Sequence, residues 1–380
     1  MNNQTQVSII INNYNYGRFL HDAIQSSIEQ SYPNVEVIVV DDGSTDNSQE
    51  IICSYGSKII PVFKNNGGQA SCFNEGFEMA KGDLIIFLDA DDYLAHDAVE
   101  KIACVYDADT ISKIHWRIHK VDQDKKLKGT SLPDSALAHG NLKDQLIKYG
   151  PSQCGGPPNS PPTSGNAWSR KFLERIFPMP ETEFRGGADK YLFVLAPLYG
   201  EIRKVDEALG YYRLHGKNNT VKSTYITSYF NRFEKCCESL SEHLAKAGIH
   251  IEPSSWPRDH WFHKVYSAME IVKQHISANS TFMLLDDNHW VTERDFFGRT
   301  RIPFLEINGE YGGPPANNAK AIEEVERQRL QGATDLVIPW SCFWYLSTYP
   351  DFQKYLDDKY VCSVDDPLVR IYHLNNQKTD

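Results

Sequence analysis

Two apolar runs of this chain end on carboxylates: VEVIVVDD (35–42) stops on Asp41 and Asp42, and LIIFLDADD (84–92) stops on Asp89, Asp91 and Asp92. Carboxylates this close together in apolar surroundings repel, and one of them is driven toward its neutral form unless a cation shares the site. Mg²⁺ or Mn²⁺ answers that pattern, because a hard divalent ion takes oxygen ligands from one or two carboxylates together with phosphate oxygens and water. A turn or a helix cap after a strand would explain either acidic end alone. The recurrence at two strand ends is what points to a site on one sheet rim.

The elements that must carry these acids alternate between two periodicities over the first hundred residues, as in a parallel α/β sheet. VSIII (7–11) reads as a buried strand, and GRFLHDAIQSSIEQS (17–31) as a helix with Phe19, Leu20, Ala23, Ile24, Ser27 and Ile28 on one stripe. Residues 35–42 form a second strand, with Asp46 placed to cap the helix that follows. KIIPVF (58–63), a helix over 68–82 and DLIIFL (83–88) complete the pattern. Polar residues follow each strand at its carboxyl end, where open α/β sheets bind ligands.

Farther on, a strand is expected near SKIHWRIHKV and a helix near NLKDQLIKYG, while PSQCGGPPNSPPTSG (151–165) is a long loop. A helix over 186–200 precedes EIRKVDEALGYYRLHG (201–216), read as strand, turn and strand. After residue 222 two amphipathic stripes, Tyr229/Phe233/Cys236/Leu240/Leu244 and Trp261/Val265/Ala268/Val272/Ile276, predict a helical hairpin. The tail resumes β/α alternation, with strands at 282–286, 334–339 and 361–373 and helices over 318–332 and 341–356. The segment 299–318 reads as a loop between elements.

The chain has 380 residues, 41% of them hydrophobic, which is enough for two or three domains. Its formal net charge of -11, without a basic run, disfavours nucleic acid and anionic membrane as main partners. Eight cysteines without CxxC spacing read as reduced, mostly structural thiols. No basic-then-apolar leader and no stretch of membrane-spanning length is visible, so the expected location is the cytosol, or the inner membrane face as a peripheral protein.

Taken in order, VSIIINNYNYGRFLHDAIQSSIEQSYPNVEVIVVDDGSTDNSQEII, NNGGQASCFNEGFEMAKGDLIIFLDADDYL and GYYRLHGKN resemble glycosyltransferase family 2 over residues 5 to 220. The resemblance implies an α/β, Rossmann-like GT-A nucleotide-sugar-binding domain over 1–221, here followed by the helical hairpin (222–280) and a small α/β module (281–380). It implies inverting transfer of a sugar from a nucleoside diphosphate, UDP foremost, to a hydroxyl of a saccharide or lipid-linked saccharide, in assembling a surface glycan. Carried over by motif, Tyr14 stacks on the base, Asp42 bonds its ring with Asp41 close by, and Asn12, Gln69 and Asp89 line the nucleotide. Asp91 contacts Mn²⁺ or Mg²⁺, assisted by Asp89 and His215, and Asp92 is the extra acid or a helix cap. Asp189 in GGADKYL stands where the family keeps its general base, with Ala188 replacing the usual Glu; a capping role would satisfy the same local sequence. Arg213 and Lys217 offer charge to the diphosphate, and Ser164, Asn166 and Trp168 match a segment on the acceptor side, although Trp168 could equally fill core.

Three rivals are weighed against this reading. A sugar-nucleotide pyrophosphorylase would need a glycine-rich phosphate loop with a following lysine, which NNYNYGR is not. A hydrolase using Asp91 and Asp189 would not need the nucleotide-pocket features. A nucleotide-sugar-binding scaffold without turnover is favoured only by Ala188. The C-terminal module, with Trp340, Phe343, Trp344 and Tyr345 clustered, is open to acceptor recognition and to docking with a second copy.

Overall fold

The computed structural model describes residues 5–151, 160–215, 223–258, 261–287, 290 and 295–377. The chain divides into two compact units, Met1–Asn218 with Arg232–Pro257, and Asn219–Asn231 with Arg258–Asp380.

In the first unit, β1 (Val7–Asn13), α1 (Gly17–Ile28), β2 (Val35–Asp41), α2 (Ser48–Ser54), β3 (Ile60–Phe63), α3 (Gln69–Met79) and β4 (Leu84–Asp89) follow the expected alternation. Then come β5 (Tyr93–Leu94), α4 (Ala98–Cys104), β6 (Ile111–Val121), α5 (Lys143–Tyr149), β7 (Asn166–Ser169), α6 (Arg170–Leu173), α7 (Asp189–Tyr199) and β8 (Glu201–Arg213). All eight strands share one sheet in the order β3-β2-β1-β4-β7-β6-β8-β5. Strands β3 to β4 are parallel, and β1 has β2 on one side and β4 on the other. Strand order therefore reverses at β1, and the crevice beyond its carboxyl end is where such a sheet takes a ligand. Register sets what meets there: Asn12 lies opposite Asp89 and Asn13 opposite Asp41.

The β-branched runs of β1 and β4 are buried on both faces, as inner parallel strands require. Each fully buried Ile, Leu or Phe contributes about 1.5–3 kcal/mol of transfer free energy. The face carrying Ile10, Ile85 and Phe87 packs under α3, where Phe73 and Phe87 stack with centroids 3.9 Å apart. Gly76 permits that approach, since a Cβ there would stand 2.4 Å from Ile10 Cγ2. The opposite face, with Ile9, Ile11 and Leu88, takes up Leu20, Ala23 and Ile24 of α1.

Three local readings change. The turn expected between 201 and 216 is replaced by one continuous strand, because β8 follows β6 through register shifts near Trp116 and Arg117 and bulges where Asp206 and Glu207 face solvent. Asp46 serves two helices: Oδ1 accepts from Ser48 N at 3.0 Å and Oδ2 from Gly17 N at 2.9 Å. Asp92 caps nothing, being buried away from α4.

Of helix α8 (Ser223–Lys246), the residues up to Asn231 belong to the second unit and those from Arg232 to the first. Phe233, Cys236, Leu240 and Leu244 of its stripe join the first unit's core together with Trp256. In the second unit Tyr229 stacks on Phe262 of α9 (Trp261–His275), with ring centroids 4.2 Å apart.

The second unit continues with β9 (Thr281–Leu284), β10 (Thr300–Pro303), β11 (Glu306–Ile307), β12 (Glu310–Tyr311), α10 (Asn318–Leu330), β13 (Asp335–Pro339), α11 (Trp344–Thr348), α12 (Pro350–Lys359), β14 (Tyr360–Asp366) and β15 (Val369–Gln377). Its five-stranded sheet runs β10-β9-β13-β15-β14. Part of the segment read as a loop is therefore strand β10 and the β11-β12 hairpin. The helix expected over 341–356 is split into α11 and α12, because Pro350 lacks the amide that would continue the first helix.

Candidate active site

Asp89, at the end of β4, accepts from Asn12 Nδ2 at 2.9 Å and from Gln69 Nε2 at 3.3 Å. Burial, then the charge of Asp91, push its carboxyl up to about 7. Asp91 accepts from His215 Nε2 at 2.8 Å. The His215 ring is buried, with Phe19 at 5.2 Å and Tyr16 edge-on at 5.5 Å. Asp92 is fully buried and accepts from the Ser164 hydroxyl at 2.6 Å and from Arg213 N at 3.0 Å. Burial and the charges of Asp91 and Asp89 raise it well above the usual carboxylate range.

Asp189 is the first residue of α7; the N-cap is Ala188, and no side chain caps the helix. Its carboxyl, at the head of the helix, faces the backbone amide of Lys190 and the Thr163 side chain. Burial raises its pKa, against the charges of Lys190 and Arg232. The Thr163 side chain lies near both carboxyls and favours the ionised form of each, and the charge of Asp189 is felt at Asp89. Gln69 ties Asp89 to the head of α7, its Oε1 accepting from Gly187 N and Ala188 N at 3.0 Å each.

Tyr14 follows β1 at the switch point and is 47% exposed, open to a stacked base. Asp41 accepts from Asn13 Nδ2, Ser44 N and Gln49 Nε2, and thereby shapes the turn after β2. Asp42 is turned to a different task from ring recognition. Its two oxygens accept from Lys64 Nζ (2.7 Å), Gly67 N (2.8 Å), Asn66 Nδ2 (3.0 Å) and Gly68 N (2.7 Å), so its lone pairs are occupied by the NNGGQ loop.

The acceptor set is corrected by burial. Trp168 is 1% exposed, paired with Ile85 across β4 and packed on Phe172 and Phe193, so it fills core. Asn166 donates to the carbonyls of Pro161, Pro162 and Thr163 and braces the loop before β7. Ser164 holds Asp92 and accepts from Asp89 N at 3.2 Å. Arg213 is likewise a brace: Nε donates to Asp91 O, Nη1 to Gln123 O and Nη2 to Asp22 at 2.7 Å, with the guanidinium over Phe19 and Tyr93. Lys217 lies outside the described residues.

Pattern reading missed neighbours of the acids. Tyr16 has its phenol raised to about 12 by burial and by Asp91 and Asp89. Lys113 on β6 is buried, donates to Ser160 Oγ at 2.9 Å and lies over Phe193 at 4.3 Å. Burial pulls its pKa down to about 7, opposed by the charge of Asp189. A lysine inside an otherwise ordinary strand run carries no signal of this.

The family model described as Glycosyl transferase family 2 matches residues 8–175. An uncharacterized glycosyltransferase of Nostoc sp. is 35% identical over 228 residues, 59% of this chain and 69% of its own length. The chain belongs to glycosyltransferase family 2. An uncharacterized glycosyltransferase of Rickettsia conorii is 31% identical over 220 residues, 57% of this chain and 34% of that longer protein. Among solved structures, S. aureus TarS 1-349 in complex with UDP-GlcNAc aligns at TM-score 0.48 and 19% identity, covering 71% of this chain and 72% of that one. A Pyrobaculum calidifontis mannosyltransferase in complex with GDP-Man and Mn2+ aligns at TM-score 0.42 and 15% identity, covering 72% and 76%.

For this family 2 chain the donor set fits a divalent cation. Asp91 and His215 meet beside Asp89, whose carboxyl is raised by burial and then by the charge of Asp91, and these oxygen and imidazole donors are of the kind a divalent ion takes. Among the described residues no group of three His, Cys, Asp or Glu side chains is placed to hold a metal ion. Among the described residues no helix is long and apolar enough to cross a membrane.

Proposed function

We propose that this chain is a metal-dependent inverting glycosyltransferase that moves a sugar from a UDP-sugar to a hydroxyl of a saccharide or lipid-linked saccharide, in surface polysaccharide or glycoconjugate assembly on the cytoplasmic side. The observation that carries it is Asp189: a carboxyl raised by burial at the head of α7, set beside Asp89 by Gln69, which bonds Asp89 with one end of its amide and the backbone of Gly187 and Ala188 with the other. An inverting transfer is a single in-line displacement, which asks for one base on the acceptor hydroxyl and stabilisation of the departing diphosphate. Asp189 takes the hydroxyl proton. Tyr14 supplies a face for the base, and Asn12 and Gln69 hold Asp89 toward the donor. Mn²⁺ or Mg²⁺, held by Asp91 and His215 with Asp89 alongside, supplies Lewis-acid stabilisation of the diphosphate when bound.

The test is a panel of nucleotide sugars with Mn²⁺, with and without EDTA, scored for nucleoside diphosphate release and for the anomeric configuration of the product. Chelator-sensitive release from one donor, with inversion, is expected. Binding of UDP with no release from any donor in the presence of acceptors would replace this reading with that of a nucleotide-sugar-binding scaffold.

A further inference from the structure

Two cations stand beside Asp189. Lys190 follows it in the first turn of α7, and Arg232 reaches the same place from α8 within the same unit. One acid and two bases feel one another directly: burial raises Asp189 while Lys190 and Arg232 oppose the rise, and Lys190 in turn is lowered by burial and then by Arg232. Lys190 ends at about 8. One carboxylate therefore faces two positive groups that repel each other in partly buried surroundings.

Arg232 lies over bare backbone. Gly187 takes φ +72°, and a Cβ built there would stand 3.2 Å from Arg232 Nε, so the glycine leaves room for the guanidinium. That Nε is itself buried and has no hydrogen-bond partner among the described residues. A guanidinium with a buried donor unmet is costly unless an acceptor arrives. On the outer side, a Cβ at Gly186 would meet no atom within 4 Å, so the backbone next to the cations opens on free space.

We propose that Lys190 and Arg232 form an anion subsite that takes a phosphate group carried by the acceptor, next to the hydroxyl that Asp189 deprotonates. The inference rests on Asp189 being the base. In an in-line displacement the attacking hydroxyl and the leaving diphosphate occupy opposite faces of the anomeric carbon. Cations gathered at the base therefore serve the acceptor, while the donor's diphosphate lies toward Asp91 and His215. An incoming phosphate would take hydrogen bonds from the Arg232 guanidinium and relieve the Lys190–Arg232 repulsion, and charge-assisted bonds of this kind are the strong ones.

The experiment is calorimetric titration of inorganic phosphate into the protein holding UDP and Mg²⁺. Saturable binding is expected for the wild type, weakened about tenfold or more in Lys190→Gln and in Arg232→Gln, as loss of a charged hydrogen bond dictates. Arg232→Lys should keep most of it. Absence of phosphate binding to the wild type at tens of millimolar, or equal affinity in both glutamine variants, overturns the proposal. Loss of UDP affinity in those variants, with phosphate binding unchanged, also overturns it by assigning the cations to the donor. Should Arg232→Gln fail to fold by circular dichroism, Lys190→Gln carries the reading. Asp189→Asn separates the two claims: retained turnover there sinks the base assignment, whereas the phosphate titration reports on the subsite regardless.

Discussion

Gln69 and Asp89 are joined at 3.3 Å, amide nitrogen to carboxylate, while the other end of the same amide accepts from the backbone at the head of α7. One side chain thus sets the distance between the acid that ends β4 and the helix that begins with Asp189. The carboxylates on either side have no direct bond between them; their spacing is the span of a glutamine, helped by Thr163.

Shortening that span should loosen the site without unfolding it. Gln69→Ala is expected to lower kcat by on the order of 10²-fold, the scale of a small misplacement of reacting groups, with the thermal midpoint little changed. Steady-state kinetics beside a melting curve checks this, and an unchanged kcat would remove Gln69 from the positioning role.

Asp189 must be ionised to accept a proton, and burial lifts its pKa above the ordinary 3.8. Activity should therefore be present above that raised value and fall as pH drops through it, giving an acid limb to kcat/KM at higher pH than a free aspartate would give. Asp189→Asn should cost roughly 10² to 10⁴-fold in transfer and leave UDP binding intact. A variant as active as the wild type would sink the assignment.

Arg213 is 1% exposed and fully engaged by Asp91 O, Gln123 O and Asp22. Replacing it by Met strands those acceptors, at a cost of about 3 kcal/mol in stability. Chemical denaturation should show that loss. Full stability together with a selective loss of UDP affinity would instead return Arg213 to the diphosphate.

In the second unit, burial pushes Glu326 up, but hydrogen bonds from Tyr360, Tyr355, Arg329 and Lys359 outweigh it and hold its carboxyl at about 2 against an ordinary 4.5. A depressed carboxylate contributes stability that is complete above the unfolded value and fades as pH falls from about 4.5 toward 2. The melting temperature of Glu326→Gln should lie below wild type at pH 6 and converge with it by pH 2 to 3. Parallel curves across that range would contradict the linkage.

Much of this was legible in the chain before any coordinates. Strands β1, β2 and β4 are largely apolar runs rich in Val, Ile and Leu, and buried parallel strands leave that pattern. Asp89 and Asp91 stand at a carboxyl end because the run stops there. What pattern reading lacks is the partner. Trp168 and Asn166 look like saccharide contacts until pairing with β4 and the 161–163 carbonyls turn them inward. Arg213 is one cation among several until Asp22, far away in sequence, closes on it. Arg232 reaches Asp189 from a helix whose own periodicity advertises only core. Asn12, assigned to the nucleotide by motif, is turned onto Asp89 by register.

The loop fastened by Asp42 has a thermodynamic consequence for ligand entry. Fixing a residue's backbone costs about 1–2 kcal/mol of conformational entropy. Four donors from Lys64, Asn66, Gly67 and Gly68 already converge on that carboxylate in the free protein. A donor that settles against residues 64–68 meets a wall whose shape is inherited from folding, so its arrival orders little chain there. Calorimetry on UDP should then show a small heat-capacity change, of a size set by the nucleotide's own buried surface, and severing the Asp42 anchor should enlarge the entropic penalty of binding before it alters any contact the nucleotide makes.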